Sequence, residues 1–216
     1  MIDDRLQAII NFIPNTARVA DIGTDHGYLA IELAKKNIFV IAGDKNFAPC
    51  IAAKKNIAAA GFNIEVRQGD GLKILRAGEV DTICIAGMGG SLICEILSSS
   101  PDILQIVDKI ILQPMNAVDK VLNWIDKNNF FVGDIDLAEV GGIIYEIILV
   151  VKNPSEISAV TKKNKSPLLI KFFEQRLNKL LRIQSEMLKS STAISTDKFS
   201  QVQAEIKKLS DALNII

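Results

Sequence analysis

The apolar run Val19-Ala20-Asp21-Ile22 leads straight into Gly23-Thr24-Asp25-His26-Gly27, and a helical pattern starts at Tyr28-Leu29. Few folds accept that order. A short buried strand, a glycine turn and a helix are how an open α/β sheet makes a ligand crevice at the carboxyl ends of its strands. The order recurs. An apolar stretch at 39–43 ends at Asp44, and an alanine-rich helix at 47–60 follows, with Pro49 in its first turn and Gly61 as its stop. Residues 64–68 alternate and run into Gly69-Asp70-Gly71; residues 80–86 run into Gly87-Met88-Gly89-Gly90 and a helix to about Ser98. A fifth strand at 109–113 ends at Pro114, and 117–128 is helical. Strands at 130–139 and 143–152 are separated only by Val140-Gly141-Gly142, too short for a crossover helix, so they form an antiparallel hairpin. The expected fold class is α/β: a seven-stranded, mostly parallel sheet with one antiparallel strand, preceded by a helix at 3–12 that Asp3 or Asp4 caps.

From Leu168 the pattern changes. Leu169, Phe173, Leu177, Leu180 and Met187 trace one helical stripe. After Ser190-Ser191-Thr192 and Ser195-Thr196 a second appears: Phe199, Val202, Ile206, Leu209, Leu213 and Ile216, at alternating spacings of 3 and 4, a coiled-coil seam. A short turn between them predicts an antiparallel coiled-coil hairpin. Two units follow: residues 1–152, and residues 153–216 comprising a linker and the hairpin. Charge divides the same way. Residues 1–151 carry 13 Lys+Arg against 19 Asp+Glu, net −6; residues 152–216 carry 12 against 6, net +6. A basic appendage suits a nucleic-acid partner, gripped by cations such as Lys162, Lys163, Lys165, Lys171, Arg176, Lys179, Arg182 and Lys189. It also suits a solvated lysine-rich surface or a dimerising hairpin, and the sequence implies no particular oligomer.

Parallel strand ends share one sheet edge, so Asp21/Gly23/Asp25/His26/Gly27, Asp44, Asp70/Gly71 and Ala86/Gly87/Met88 converge. The nicotinamide fingerprint G-x-G-x-x-G is absent, and no Lys-Ser/Thr pair follows the glycines as a phosphate loop requires. Asp25 also opposes a pyrophosphate. S-adenosylmethionine, which has no phosphate, fits better. Gly23 and Gly27 would lie against its methionine part, Asp21 or Asp25 would accept from its ammonium group, Asp44 would take both ribose hydroxyls, and Asp70 with Gly71 would meet adenine. His26 either positions a substrate or caps the following helix; Met88 either lines the transfer site or fills a gap. Trp124 reads as core. With one histidine, and Cys50, Cys84 and Cys94 unpaired in spacing, no metal site is expected. No run resembles a membrane span or secretory signal, which points to the cytoplasm.

Residues 21–29, with Arg67-Gln68-Gly69-Asp70-Gly71-Leu72, Ile85-Ala86-Gly87-Met88-Gly89-Gly90, Leu112-Gln113-Pro114 and Tyr145-Glu146, resemble a bacterial tRNA methyltransferase family that methylates N1 of adenine 22. The resemblance covers nearly the whole chain. It implies a Rossmann-like class I methyltransferase domain, S-adenosylmethionine as donor, tRNA as substrate, and a basic hairpin that grips tRNA. Chemistry then reduces to in-line attack of the ring nitrogen on the sulfonium methyl, with no strong base demanded. Asp25, His26, Gln113 or the backbone carbonyls at Ala86-Gly87 are candidates beside the reacting base, and Gln113, Pro114 and Asn116 are candidate substrate contacts. Some members carry Asn directly after Gln-Pro; here Met115 intervenes before Asn116. Two alternatives stand beside this reading: a small-molecule methyltransferase with a dimerising hairpin, and an RNA-binding module with a vestigial cofactor pocket.

Overall fold

The computed structural model describes residues 2–153, 155 and 167–215. They fall into two compact units, Met1–Thr161 and Lys162–Ile216. The first contains a seven-stranded sheet in the order β3-β2-β1-β4-β5-β7-β6. Its strands are β1 (Arg18–Ile22), β2 (Phe39–Asp44), β3 (Glu65–Gln68), β4 (Thr82–Met88), β5 (Lys109–Pro114), β6 (Phe131–Val140) and β7 (Ile143–Val151). Strands β1 to β5 pair in parallel, whereas β7 runs antiparallel to both β5 and β6. This is the expected Rossmann-like methyltransferase sheet.

Side-chain alternation sorts the core to the two faces. Ile83, Ile85, Ile110 and Leu112 pack with Ile93, Ile96 and Leu97 of α4 (Gly90–Ser98) and Val121, Trp124 and Ile125 of α6 (Val118–Lys127). Cys84 and Ile111, one residue out of phase, face Ile9 and Ile10 of α1 (Asp4–Asn11) and Leu29 and Leu33 of α2 (Tyr28–Lys35). Burial on both faces explains why these strands are continuous apolar runs. Asp3 caps α1 through its carboxylate, which accepts from the Leu6 N–H at 2.8 Å. Trp124 is core as expected, stacked on Phe130, with its indole N–H donated to Ser98 Oγ at 2.7 Å. Cys50 and Cys84 are buried, and Cys94 is half-buried. The 3-10 turn Gly71–Ile74 and the short helices α5 (Pro101–Leu104) and α8 (Ser191–Ile194) were not expected, because one turn is too short to show a period.

An ion cluster anchors the end of β3. Arg67 bonds Glu79 through both Nη atoms at 2.7 and 3.0 Å, Glu65 through Nε at 2.8 Å, and the Ile74 carbonyl. The Arg67 hydrogen bonds, then the Arg76 N–H, hold the Glu79 carboxyl down at about 2, below its ordinary 4.5. A depressed acid stabilises the fold above its unfolded value and loses that contribution as pH falls through the folded one. Denaturant titrations should therefore show stability lost between about pH 5 and about pH 2, with a shallower loss in Glu79→Gln.

In the second unit, α7 (Pro167–Met187) pairs with α9 (Asp197–Ile215). Leu180, Val202 and Leu209 form its buried seam, flanked by Phe173, Leu177, Ile183, Met187 and Ile206. Phe173, Leu177, Leu180, Met187, Val202, Ile206 and Leu209 come from the two expected stripes, Ile183 joins them, and Ile216 lies outside the described residues. Arg176 meets Glu205 across the pair at 2.6 Å, so its charge is engaged inside the hairpin. Lys171, Lys179 and Arg182 are exposed; Lys162, Lys163 and Lys165 lie outside the described residues. Among the described residues, no helix is long and apolar enough to cross a membrane.

Candidate active site

Sheet register builds the site. Ile22 of β1 lies level with Gly43 of β2 and Ile85 of β4, and Asp44 with Gln68 of β3. The four turns that leave these strands therefore meet beside the point where strand order reverses between β1 and β4. They enclose a crevice of two adjoining chambers. One, of about 270 Å³, is lined by residues including Gly43, Asp44, Asp70, Gly71, Leu92 and Glu95. The other, of about 470 Å³, is lined by residues including Arg5, Asp21, Asp25, His26, Ala86 and Gly87. Gly23, Asp44, Asn46 and Met88 line both. Ligand pockets span roughly 300–1,000 Å³, so the crevice has the capacity for a nucleoside-sized ligand.

The partition depends on two glycines. Gly23 adopts φ +79, and a Cβ there would sit 2.1 Å from Met88 Cε. Gly87, at φ +75, breaks the β4–β5 ladder; register shifts between Ala86 and Met88. This bulge extends β4 two residues beyond the expected end and carries Met88 over Gly23. The Gly87 N–H is donated to Gln113 Oε1 at 3.0 Å instead of to backbone.

Each acid has a distinct setting. Asp21 is buried, 4% exposed, and accepts from Thr24 Oγ at 2.7 Å. Burial raises its carboxyl from 3.8 to about 6, against the Thr24 hydrogen bond, with Asp44 adding to the rise. Asp44 accepts from the Asn46 N–H at 2.8 Å, which orients its carboxylate at the junction of the chambers. Asp70 is flanked by Lys73 at 2.9 Å and Lys45 at 3.4 Å, and Lys73 above all lowers its carboxyl. Asp25, at φ +49, lies 3.6 Å from His26 Nε2, and the His26 ring stands 5.6 Å from the ring of Tyr28. His26 thus borders the second chamber, while the residue at the start of α2 is Gly27.

Four of the expected site residues lie outside the linings of the two chambers. Gly27 lines neither chamber: at φ +76 its missing Cβ makes room for Ala53 and Ile57 of α3 (Phe47–Ala59), so it serves helix entry and packing. Gln113 is fully buried; Oε1 accepts from Gly87 and from Arg5 Nη1 at 3.1 Å, and Nε2 is donated to the Pro114 carbonyl. Its amide is engaged by Arg5, Gly87 and Pro114. Pro114 is buried, and Asn116 lies over Gly89 while its carbonyl accepts from the Gly90 N–H; neither lines a chamber. Arg5 is the site residue that sequence reasoning missed. Its guanidinium lies 108 positions before its partner Gln113, and helical periodicity alone marks it as surface.

The methyltransferase-domain family model matches residues 2–148 of the chain. A tRNA (adenine(22)-N(1))-methyltransferase of Bacillus subtilis (strain 168) is 33% identical, over 98% of this chain and 94% of its own. The crystal structure of the B. subtilis m1A22 tRNA methyltransferase TrmK superposes with a TM-score of 0.77 at 30% identity, covering 99% of this chain and 96% of that one. The structure of M. capricolum TrmK, in complex with S-adenosyl-homocysteine, gives a TM-score of 0.82 at 26% identity, with 100% and 99% covered.

Proposed function

The chain belongs to the tRNA (adenine(22)-N(1))-methyltransferase family, and on that premise we propose that it transfers a methyl group from S-adenosylmethionine to N1 of adenine 22 in tRNA. The observation that carries this reading is the crevice itself, where Gly23, Asp44 and Met88 border both chambers. The donor set suits the cofactor. Asp44 offers a fixed carboxylate for a ribose diol, buried Asp21 gains from an ammonium group nearby, and Gly23 leaves backbone open beside Met88. Asp70, Gly71, Ala86 and Gly87 complete the lining. When bound, S-adenosylmethionine supplies an electrophilic methyl on its sulfonium.

The protein's part is positioning. Adenine N1 has an in-plane lone pair and needs no base to release it, so the residues around Asp25, His26 and the Ala86-Gly87 carbonyls hold the base in line. Methylation makes the ring cationic. Asp25 then stabilises charge that develops only as the bond forms. The target base must leave its stack to reach the crevice. Residues 1–152 act as the cofactor-binding domain; residues 153–216 act as the tRNA-binding part, with Lys171 and Arg182 on its surface. Cytoplasmic tRNA is the natural substrate pool. A direct test is label transfer from methyl-labelled donor to an unmodified tRNA transcript. Label should enter the transcript with adenine at position 22, and equal label with guanine there would refute the assignment.

Asp21 gives a second test. Its carboxyl titrates near 6 in the folded chain against 3.8 ordinarily. Because the folded value is raised, the buried charge costs the free enzyme stability above pH 6, on the order of 3 kcal/mol. An ammonium group bound beside Asp21 offsets that cost only with Asp21 ionised. Calorimetry should show S-adenosylhomocysteine affinity falling about tenfold per pH unit below about pH 6. Asp21→Asn should flatten that profile and raise the melting temperature of the free enzyme at pH 7.5 while weakening the ligand.

A further inference from the structure

The second chamber is acidic on one side: Asp21, Asp25 and Asp44 all line it. Opposite in charge, Arg5 is the sole Lys or Arg among the described residues lining it. It enters from α1, outside the strand-end turns. The guanidinium is restrained on several sides. Nη1 is donated to Gln113 Oε1 at 3.1 Å, Nη2 lies 3.7 Å from Asp3, and the group stands over the Tyr145 ring at 5.9 Å. Nη1 also lies 3.5 Å from where a Gly87 Cβ would be, an ordinary contact distance, so the guanidinium packs directly against this turn. Gln113, with no exposed surface, spends its carbonyl oxygen on Arg5 and the Gly87 N–H. A fully buried amide that fixes a cation beside a glycine turn is a built feature, because a restrained fork loses less freedom on gripping an anion.

Resting on the assignment of this crevice to S-adenosylmethionine, we propose that Arg5 binds the carboxylate of the cofactor's amino-acid end. That end is a zwitterion. Its ammonium group calls for the carboxylates of Asp21 and Asp25, and its carboxylate calls for a cation or N–H donors in the same chamber. Arg5 supplies the cation, with Gln113 as the residue that positions it. Neither adenine nor ribose carries an anion that would need it.

The experiment compares two ligands on the full chain by calorimetry: S-adenosylhomocysteine, and 5′-methylthioadenosine, which keeps the adenosine thioether and lacks the amino-acid end. Arg5→Ala should weaken S-adenosylhomocysteine roughly 10- to 100-fold, the worth of a charge-assisted contact, and leave 5′-methylthioadenosine within about twofold. Arg5→Lys should fall between, keeping charge and losing the fork. Equal weakening of both ligands would overturn the proposal, since Arg5 would then only support the chamber wall. Unchanged binding of both, with a raised KM for tRNA, would overturn it in favour of an RNA contact. A wild-type chain that binds neither ligand would instead overturn the cofactor assignment on which the proposal rests.

Discussion

Asp44→Ala should weaken S-adenosylhomocysteine binding by about 100- to 10,000-fold without unfolding the protein. The size follows from the ligand chemistry. A carboxylate that accepts from two hydroxyls makes two charge-assisted bonds, each about 1.5–3 kcal/mol, and about 1.4 kcal/mol is tenfold in affinity. Stability should change little, because Asp44 is part-exposed and its carboxylate accepts from the Asn46 N–H, which water can satisfy, while its backbone bonds survive the substitution. Asp44→Asn should keep that turn and lose the charge, giving an intermediate affinity. Calorimetry at pH 7.5, with circular dichroism as the fold control, reads both. Binding within threefold of wild type in Asp44→Ala would remove this residue from the site.

Removing residues 162–216 should lower kcat/KM for tRNA by more than about 100-fold while cofactor affinity stays within about threefold. Crevice-lining residues all lie within Met1–Thr161, a compact unit with its own two-sided core. The removed part contains 11 Lys+Arg against 5 Asp+Glu. Phosphate contacts release counterions, so the full chain's apparent tRNA affinity should fall steeply with salt and the truncated chain's should not. A paired reversal, Lys179→Glu with Arg182→Glu, should raise KM and leave cofactor binding alone. If truncation changes only the oligomeric state seen by light scattering and spares tRNA methylation, the hairpin is a dimerisation element and the alternative reading gains.

The strand ends were legible because two independent signals coincide there. Apolar runs buried on both faces mark β1, β2 and β4, and Gly23, Asp44 and Gly87 stand at or beside their carboxyl ends. Glycine itself was ambiguous. Gly23 and Gly27 look alike in sequence and share a positive φ, yet one faces Met88 across the crevice and the other faces Ala53. The difference lies in what the third dimension brings opposite, which local pattern does not encode. Gln113 is expected near the reacting base because it ends the apolar run of β5, and the structure puts it at the carboxyl end of that strand beside Gly87. Its amide is turned inward, because the bulge at Gly87 leaves an N–H that only a side chain can satisfy. Arg5 was invisible for the complementary reason: a charged residue on an amphipathic helix reads as solvated surface. The Asp70 carboxylate was expected to be available to adenine; Lys45 and Lys73 beside it emerge only when β2, β3 and the turn after β3 come together.

The central claim is methylation of one ring nitrogen at one tRNA position. Its most direct test is base-resolved mass spectrometry of tRNA from cells that carry the gene and from cells that lack it. 1-Methyladenosine is expected at position 22 in the first set and unmodified adenine there in the second. Position 22 modified equally in both, or a methyl group lost from any other atom or position, would contradict it.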